Sequence, residues 1–246
     1  MAKRPDPPGF RRPVVWVVGA SRGIGREIAA HFASIGGVVC LSSRSVPGLR
    51  SAVRAISTDG GEAYSYPCDI SRARAAAATA GRIRKERGEV DVIVNCAGIT
   101  VFKSFLNTSL PEFNAIVSTN LLGQVACIKA VLPSMVRRRE GWIFNIISNA
   151  AIKTFEGSAA YTATKAGMLG FGRVLREEIK HWGVKVVNIM PGATETAMWS
   201  APSRRKYSRR MMRPSSVAEA VLAAYRMPGD AVLDEIVVRP LLGDIE

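Results

Sequence analysis

The chain has 246 residues, 48% of them hydrophobic, enough for one large α/β core, and its four cysteines are too sparse for a secreted disulfide scaffold and lack metal-ligand spacing. A formal net charge of +14 admits a polyanionic partner, but the cations are not interleaved with aromatics and no zinc-finger or RNP motif occurs, so nucleic acid is disfavoured.

The opening thirteen residues, MAKRPDPPGFRRP, put charge and four prolines where a secretion signal needs an apolar run. They are expected to form a flexible basic arm, 1–13, ahead of a single domain over 14–246. No later segment is expected to reach transmembrane length. Cys40, Cys68, Cys96 and Cys127 have apolar neighbours and suit reduced thiols in a cytoplasmic protein.

VVWVV, from Val14 to Val18, is a continuous apolar strand of the kind buried on both faces of a parallel sheet. It runs directly into GASRGIG, where Gly19, Gly23 and Gly25 open a helix. That context suits a phosphate: small residues admit a pyrophosphate to the backbone, and free N–H groups at the helix start attract its charge. The second strand, VVCLS, ends at Ser43 and Arg44. In a dinucleotide fold that strand end meets the adenine ribose, where an acidic residue selects a free 2′-hydroxyl and arginine a 2′-phosphate. Arg44, with Arg22 in the glycine loop, therefore favours NADP over NAD.

A helix is expected over 48–58, a strand over 62–68 ending at Asp69 and Ile70, and a helix capped by Ser71 running to about 86. A buried strand over 90–94 leads to the small-residue turn Asn95-Cys96-Ala97-Gly98. A long helix follows over 110–138, with Asn120 in its middle and Pro133 interrupting its last turns. The strand WIFNIIS ends at Ser148; the next helix carries Tyr161 and Lys165; VKVVNIM leads into Pro191-Gly192-Ala193-Thr194-Glu195-Thr196. From 197 to 213 the pattern dissolves into small, basic and methionine residues, a candidate substrate lid. Pro214-Ser215-Ser216 are expected to start a last helix over 217–226, and a strand over 235–238 closes the chain. The alternation of strand and helix predicts an α/β doubly wound parallel sheet, a Rossmann fold of about seven strands in one domain with helices on both faces.

Tyr161 and Lys165 stand four apart on a helix and so share a face. A phenol with a pKa of about 10 is a poor acid at neutral pH, and a neighbouring ammonium is expected to lower that value. Ser148, at a strand end, is placed to polarise a carbonyl beside the phenol. No metal site is expected.

Five separated motifs, GASRGIG, NCAG, the Asn120 helix, Ser148 with YTATK, and PGATET, resemble those of the short-chain dehydrogenase/reductase family in its compact NADP-preferring branch, from Val14 onward. The resemblance implies that Tyr161 is the acid/base, that Ser148 holds the carbonyl oxygen, that Lys165 binds the nicotinamide ribose, and that Asn120 bends its helix and fixes a water. It implies NADP(H) contacts from Gly19, Ser21, Arg22, Gly23, Ile24 and Gly25 to the pyrophosphate, Arg44 to the 2′-phosphate, and Asp69 and Ile70 to the adenine. Asn95, Ala97 and Gly98 match the turn beside the ribose, and Pro191, Gly192, Thr194 and Thr196 the nicotinamide side. Val18, Cys96 and Ile147 depart from the usual threonine, asparagine and serine. The end DEIVVRPLLGDIE lacks the glycine-rich tail of 3-oxoacyl-carrier-protein reductases, which speaks against fatty-acid synthesis.

The implied activity is NADPH-dependent reduction of a ketone or aldehyde, reversible to alcohol oxidation. A thioester reductase acting on CoA or carrier-protein substrates through the lid arginines is an alternative. A second is an NADP-sensing protein whose basic surface binds polyanions, which the intact catalytic set opposes. Family members pair through the two long helices, so a homodimer or homotetramer is expected, with Ala163, Ala166, Gly167, Gly170 and Gly172 leaving room for a partner helix.

Overall fold

The computed structural model describes residues 12–245, so most of the expected arm, 1–11, lies outside the described residues. Arg12 is not loose. Its guanidinium donates to the Gly36 carbonyl and to Glu62, each at 2.7 Å, so Arg12, placed in the expected arm, is held against the domain.

Seven strands form the sheet: β1 (Val14–Val18), β2 (Val38–Ser42), β3 (Glu62–Ser65), β4 (Val92–Asn95), β5 (Gly141–Ile146), β6 (Val184–Pro191) and β7 (Glu235–Val238). Among the described residues eight α-helices accompany them: α1 (Gly23–Ser34), α2 (Val46–Thr58), α3 (Ala73–Arg87), α4 (Leu110–Val117), α5 (Gly123–Arg138), α6 (Ala159–Ile179), α7 (Ala201–Tyr207) and α8 (Pro214–Tyr225). The order is β3-β2-β1-β4-β5-β6-β7, every neighbour parallel. The chain therefore reverses its direction of travel between β1 and β4, and a crevice opens there at the carboxyl ends of the strands.

Side-chain alternation in β1 shows why both faces need cover. Val15 and Val17 join Ile28 and Phe32 of α1, Leu49 of α2 and Val221 of α8 in one core. Val14, Trp16 and Val18 join Ile83 of α3, Cys127 and Met135 of α5, and Met168 of α6 in the other. Burying a side chain of this size stabilises by about 1.5–3 kcal/mol. Both faces being apolar explains why the strand reads as an unbroken hydrophobic run.

Three elements differ from the sequence expectation. The third strand ends at Ser65, not Cys68, although Tyr66 and Cys68 still donate to Leu41 and Ser43 carbonyls at 2.8 and 3.0 Å. Ser71 does not cap α3; its N–H and hydroxyl are taken by the Asp69 carboxylate at 3.2 and 2.8 Å, and Arg72 occupies the cap position without a side-chain bond. The long helix continues through Pro133 but widens earlier, into a π turn over Ser118–Leu122 between α4 and α5. Leu110–Arg138 is also long and apolar enough, by length and composition, to cross a membrane, contrary to expectation. In this fold that apolarity has another use: Ile128, Val131 and Met135 pack under the sheet, and the same helix turns Asn120 and Gln124 inward.

Candidate active site

The glycine turn is shaped by close approach. Gly19 has φ 92°, and a Cβ there would sit 2.5 Å from the Ala97 nitrogen. Only glycine lets β1 and β4 release their chains so close together. A Cβ on Gly25 would lie 2.4 Å from the Gly19 carbonyl oxygen, so α1 starts tight against the turn. Gly23 (φ 59°) faces Thr196, whose methyl would be 3.1 Å from an added Cβ. The turns after β1, β4 and β6 thus bracket one crevice. Ser21 meets Gly48 at the start of α2, which brings the Arg44 turn beside the glycine loop. Ile24 packs onto the core and does not line the crevice alone.

The donor set fits a dinucleotide. Arg22 caps α1 with no side-chain acceptor, and the first turn of α1 holds no acidic residue, so its N–H groups face the crevice uncompensated. Arg22 and Arg44 are exposed, and neither forms an ion pair among the described residues. Asp69 is partly buried, with its carboxylate engaged by Ser71, and Ile70 is buried, its carbonyl pressed against Gly123 at the start of α5. Asn95 differs from the other turn residues. It is fully buried, and its amide donates to Asn145, whose amide donates to Asn188, at 3.2 and 3.0 Å across three adjacent strands. Asn95 therefore supports the turn from beneath, while Ala97 and Gly98 face the crevice side. A Cβ on Gly98 would come within 3.9 Å of Lys165 Nζ. On the far wall, Thr194 donates to the Gly192 carbonyl at 3.0 Å, and Pro191 ends β6 beside Val238.

Sequence pattern also explains the chemistry-bearing helix. In α6 the buried positions Tyr161, Thr164, Lys165, Met168, Leu169, Gly172, Leu175 and Ile179 recur at three and four, which turns the phenol and the amine to the same inner face. Gly172 is needed there, since a Cβ would fall 2.4 Å from Asn188 Oδ1. Lys165 Nζ lies 5.5 Å from the Tyr161 ring centroid and donates to the Ile146 carbonyl at 3.0 Å. Ser148, just past β5, sits close enough to the Tyr161 phenol to lower its pKa, and its oxygen accepts from the Ala150 N–H at 3.1 Å.

Asn120 completes the group through the π turn. Its Oδ1 accepts from the Ile99 N–H, its Nδ2 donates to the Ile99 carbonyl, both at 2.8 Å, and Nδ2 also reaches Thr164 Oγ1 at 3.3 Å. Both polar ends are engaged, so the carboxamide ties the turn after β4 to α6. Sequence reasoning missed three contributors: Gln124, one helical turn beyond Asn120, whose amide donates to the Ala97 carbonyl; Thr164, one residue before the lysine; and Phe102, whose ring centroid is 6.2 Å from that of Tyr161 and 6.1 Å from that of Trp199. For Gln124 a signal existed, its four-residue spacing from Asn120.

One expectation is overturned. The protein does not make Tyr161 acidic: burial pushes its phenol up to about 12, and the neighbouring Ser148 hydroxyl only partly opposes that. Burial likewise lowers Lys165 to about 8. Drying the site acts on both groups in the sense that favours the neutral form, and outweighs any pull of one on the other. Cys96, in the same turn, is pushed up to about 12 by burial against the opposing Lys165 charge and Gly25 N–H, so it is an inert thiol.

The expected lid is ordered rather than patternless. Ser200 caps α7 by accepting from the Ser203 N–H, a turn over Ser208–Arg210 follows, and Met212 returns to pair with Ala193 and Glu195 at 2.9 Å. Arg204, Arg205, Lys206, Arg209, Arg210 and Arg213 form no ion pair with a carboxylate among the described residues.

A doubly wound parallel sheet with a glycine-lined crevice, and with Ser148 beside a buried Tyr-Lys pair, defines a class of dinucleotide-fold oxidoreductases. The chain belongs to the short chain dehydrogenase family, whose model matches residues 13–206. It is similar to a sepiapterin reductase of Chlorobaculum tepidum, with 31% identity over 95% of this chain and 98% of that one. Among solved structures, an alcohol dehydrogenase from the archaeon Thermococcus sibiricus, complexed with 5-hydroxy-NADP, superposes with a TM-score of 0.87 at 27% identity, covering 96% of this chain and 100% of that chain. An actinorhodin polyketide ketoreductase variant with NADPH gives 0.88 at 30% identity, over 95% of this chain and 98% of that one.

Proposed function

We propose that this chain is an NADPH-dependent carbonyl reductase that donates a proton from Tyr161 to a ketone or aldehyde oxygen. The observation that carries the reading is the buried Tyr161 side chain, with Ser148 beside its phenol and Lys165 Nζ 5.5 Å from its ring centroid, at the carboxyl end of the sheet beside the glycine crevice. The relatives with bound NADP or NADPH, and the exposed Arg22 and Arg44, support NADP(H) as the cofactor. Gly19, Ser21, Arg22, Gly23, Ile24 and Gly25 would hold the pyrophosphate end, Arg44 the 2′-phosphate, Asp69 and Ile70 the adenine, and Ala97, Gly98, Pro191, Gly192, Thr194 and Thr196 the remainder, with Asn95 beneath.

A bound reduced nicotinamide supplies a hydride to the carbonyl carbon. As charge gathers on the carbonyl oxygen, Ser148 holds that oxygen and the Tyr161 O–H breaks to give it a proton, leaving alcohol and a phenolate. The Lys165 ammonium stabilises that phenolate, and Asn120 keeps the turn after β4 in register with α6. A phenol held at about 12 is fully protonated at neutral pH, which suits an acid and favours reduction over oxidation.

The six lid cations, none in an ion pair with a carboxylate among the described residues, favour a second reading in which the carbonyl is a thioester on a phosphate-bearing carrier. The four free thiols, three of them buried, fit a reducing compartment such as the cytoplasm. A homodimer or homotetramer through α5 and α6 is supported by exposed Leu122 and Val174, and by Gly170, where an added Cβ would meet nothing within 4 Å. Gly167 and Gly172 instead face Leu121 and Asn188 of the same chain. Sedimentation equilibrium decides the assembly.

The test of the activity is NADPH oxidation against a graded panel of ketones and aldehydes, with Tyr161→Phe alongside. Turnover should fall at least about 100-fold, the worth of a lost general acid, while NADPH binding stays within about twofold. A chain that binds NADPH yet reduces nothing, or a variant that loses cofactor binding instead of turnover, overturns the assignment.

A further inference from the structure

We propose that Asp244 is a positioning residue that fixes the turn behind Ser148 and the lid in one arrangement; the inference rests on the role given to Ser148 above. Its carboxylate is 4% exposed. Oδ1 accepts from Asn149 Nδ2 at 3.0 Å, and Oδ2 accepts from Lys153 Nζ at 3.2 Å and Arg239 Nη2 at 2.8 Å. The main-chain carbonyl of Asp244 accepts from Arg210 Nη2 at 2.8 Å. Gly192, at the end of β6, leaves the space, since a Cβ there would be 3.5 Å from Oδ1 and 2.9 Å from Pro240 Cδ. One residue thus joins the turn after β5, the end of β6, the lid and the tail.

The tail is brought in by this contact together with the buried Ile245 beside it. Leu241 and Leu242 are 99% and 66% exposed, whereas the Asp244 carboxylate is buried, against what transfer energies alone favour for an aspartate. Gly243 (φ 80°) makes the turn, its N–H donating to the Pro240 carbonyl at 2.9 Å. The partners on Oδ2, Lys153 and Arg239, are about half exposed and can return to water. Asn149 is buried and cannot. Its amide is therefore the bond that matters most. Asn149 directly follows Ser148, and the short turn over Asn149–Ala151 directs an N–H at Ser148 Oγ. Holding Asn149 sets the aim of the serine hydroxyl at Tyr161. The Arg210 bond holds the turn that closes α7, so the position of the lid and the aim of Ser148 become one variable.

The experiment compares wild type, Asp244→Ala, Asp244→Asn, Asn149→Ala and the Asp244→Ala/Asn149→Ala double variant with NADPH and the best ketone of the panel. Asp244→Ala should lower kcat about 10–100-fold, the scale set by misplacing a reacting group by up to 1 Å, with NADPH Kd within about twofold. Asp244→Asn keeps an acceptor for Asn149 and should stay within about fivefold of wild type. Asn149→Ala should match Asp244→Ala, and the double variant should be no worse than either, as expected for one shared bond. Trypsin cleavage inside 204–213 should be about tenfold faster in Asp244→Ala, with Asp244→Asn near wild type. Wild-type kcat and cleavage in Asp244→Ala overturn the proposal, as do equal losses in the Ala and Asn variants. If Asp244→Ala does not fold, Asn149→Ala carries the kcat comparison. A wild-type chain that turns over no carbonyl sinks the reductase reading alone, and the trypsin comparison then decides the Asp244 link.

Discussion

Replacing Lys165 by methionine should stabilise the protein while abolishing turnover. Lys165 is 3% exposed, and its one hydrogen-bond acceptor among the described residues is the neutral Ile146 carbonyl. Burial lowers its pKa from 10.5 to about 8. At about 1.36 kcal/mol per unit, keeping that ammonium in the folded state costs about 3 kcal/mol wherever both states are protonated. Below pH 8 folded and unfolded chains each hold the proton, so the cost is present in full. Between pH 8 and 10.5 the unfolded chain binds more protons than the native one, so this contribution to stability rises with pH, and above 10.5 the cost is gone. Methionine keeps the stem and removes the charge but strands the Ile146 carbonyl, which gives back about 1 kcal/mol. The net expectation is a gain of about 2 kcal/mol at pH 7, or about 4–8 °C in Tm for a chain of this size. Urea unfolding of both chains at pH 7, 8.5 and 10 reads the difference. Subtraction removes the shared alkaline losses from Cys40 and Tyr161, whose raised values make the native state hold its protons longer than the unfolded one. A variant less stable than wild type at pH 7, or a difference that does not shrink as pH rises, refutes the reasoning.

The rate profile follows from the same two groups. Reductive kcat/KM should be flat from about pH 6 to about 8 and fall above it as Lys165 discharges, while alcohol oxidation, which needs the phenolate, should climb toward pH 12; a reductive rate that rises through pH 8 contradicts the roles given to the pair. Gly19→Ala should cost about 2–5 kcal/mol, from positive-φ strain together with contacts of 2.5–2.8 Å to the backbone of Cys96 and Ala97, and should weaken NADPH binding at least tenfold, about the least such a shift of the turn allows. Gly36→Ala, at φ 89° with nothing within 4 Å of its Cβ, should cost only the strain, about 1 kcal/mol, in thermal melts run side by side.

Local patterns made much of the fold legible. VVWVV reads as a strand buried on both faces because its alternate residues do enter two separate cores. Gly19 reads as a close-approach position because the conformation there excludes any side chain. The π turn at Asn120 was not legible as such, since a single added residue per turn leaves the apolar spacing on either side nearly intact. The helix within the lid segment was not legible for a different reason: Ser200, Pro202 and Ser203 are a proper helix start, but no apolar stripe follows in seven residues to announce the helix. Ser71 reads as a cap from its place before a helical run, but Asp69, two residues earlier, competes for its hydroxyl. Asp244 lay beyond reach altogether, since its partner Asn149 is 95 positions away and nothing near either marks the pairing.

The pairing of Tyr161 with Lys165 shows where such reading stops. Four-residue spacing on an amphipathic helix is enough to put both groups on one inner face, and that part needs no tertiary structure. The sign of the phenol's shift is another matter, because it depends on how much water the surroundings exclude. Here the Phe102 ring and the end of β5, with the turn carrying Cys96 beside Lys165, dry the site together, and they come from segments about 15 to 65 positions away from the pair. Desolvation scales with that enclosure and falls on the charged form of each group, whereas the attraction between ammonium and phenolate requires the phenolate to exist first. A closed site of this kind therefore holds its phenol protonated until substrate charge draws the proton off, and the same enclosure that raises its pKa makes each fixed donor around the developing alkoxide more effective.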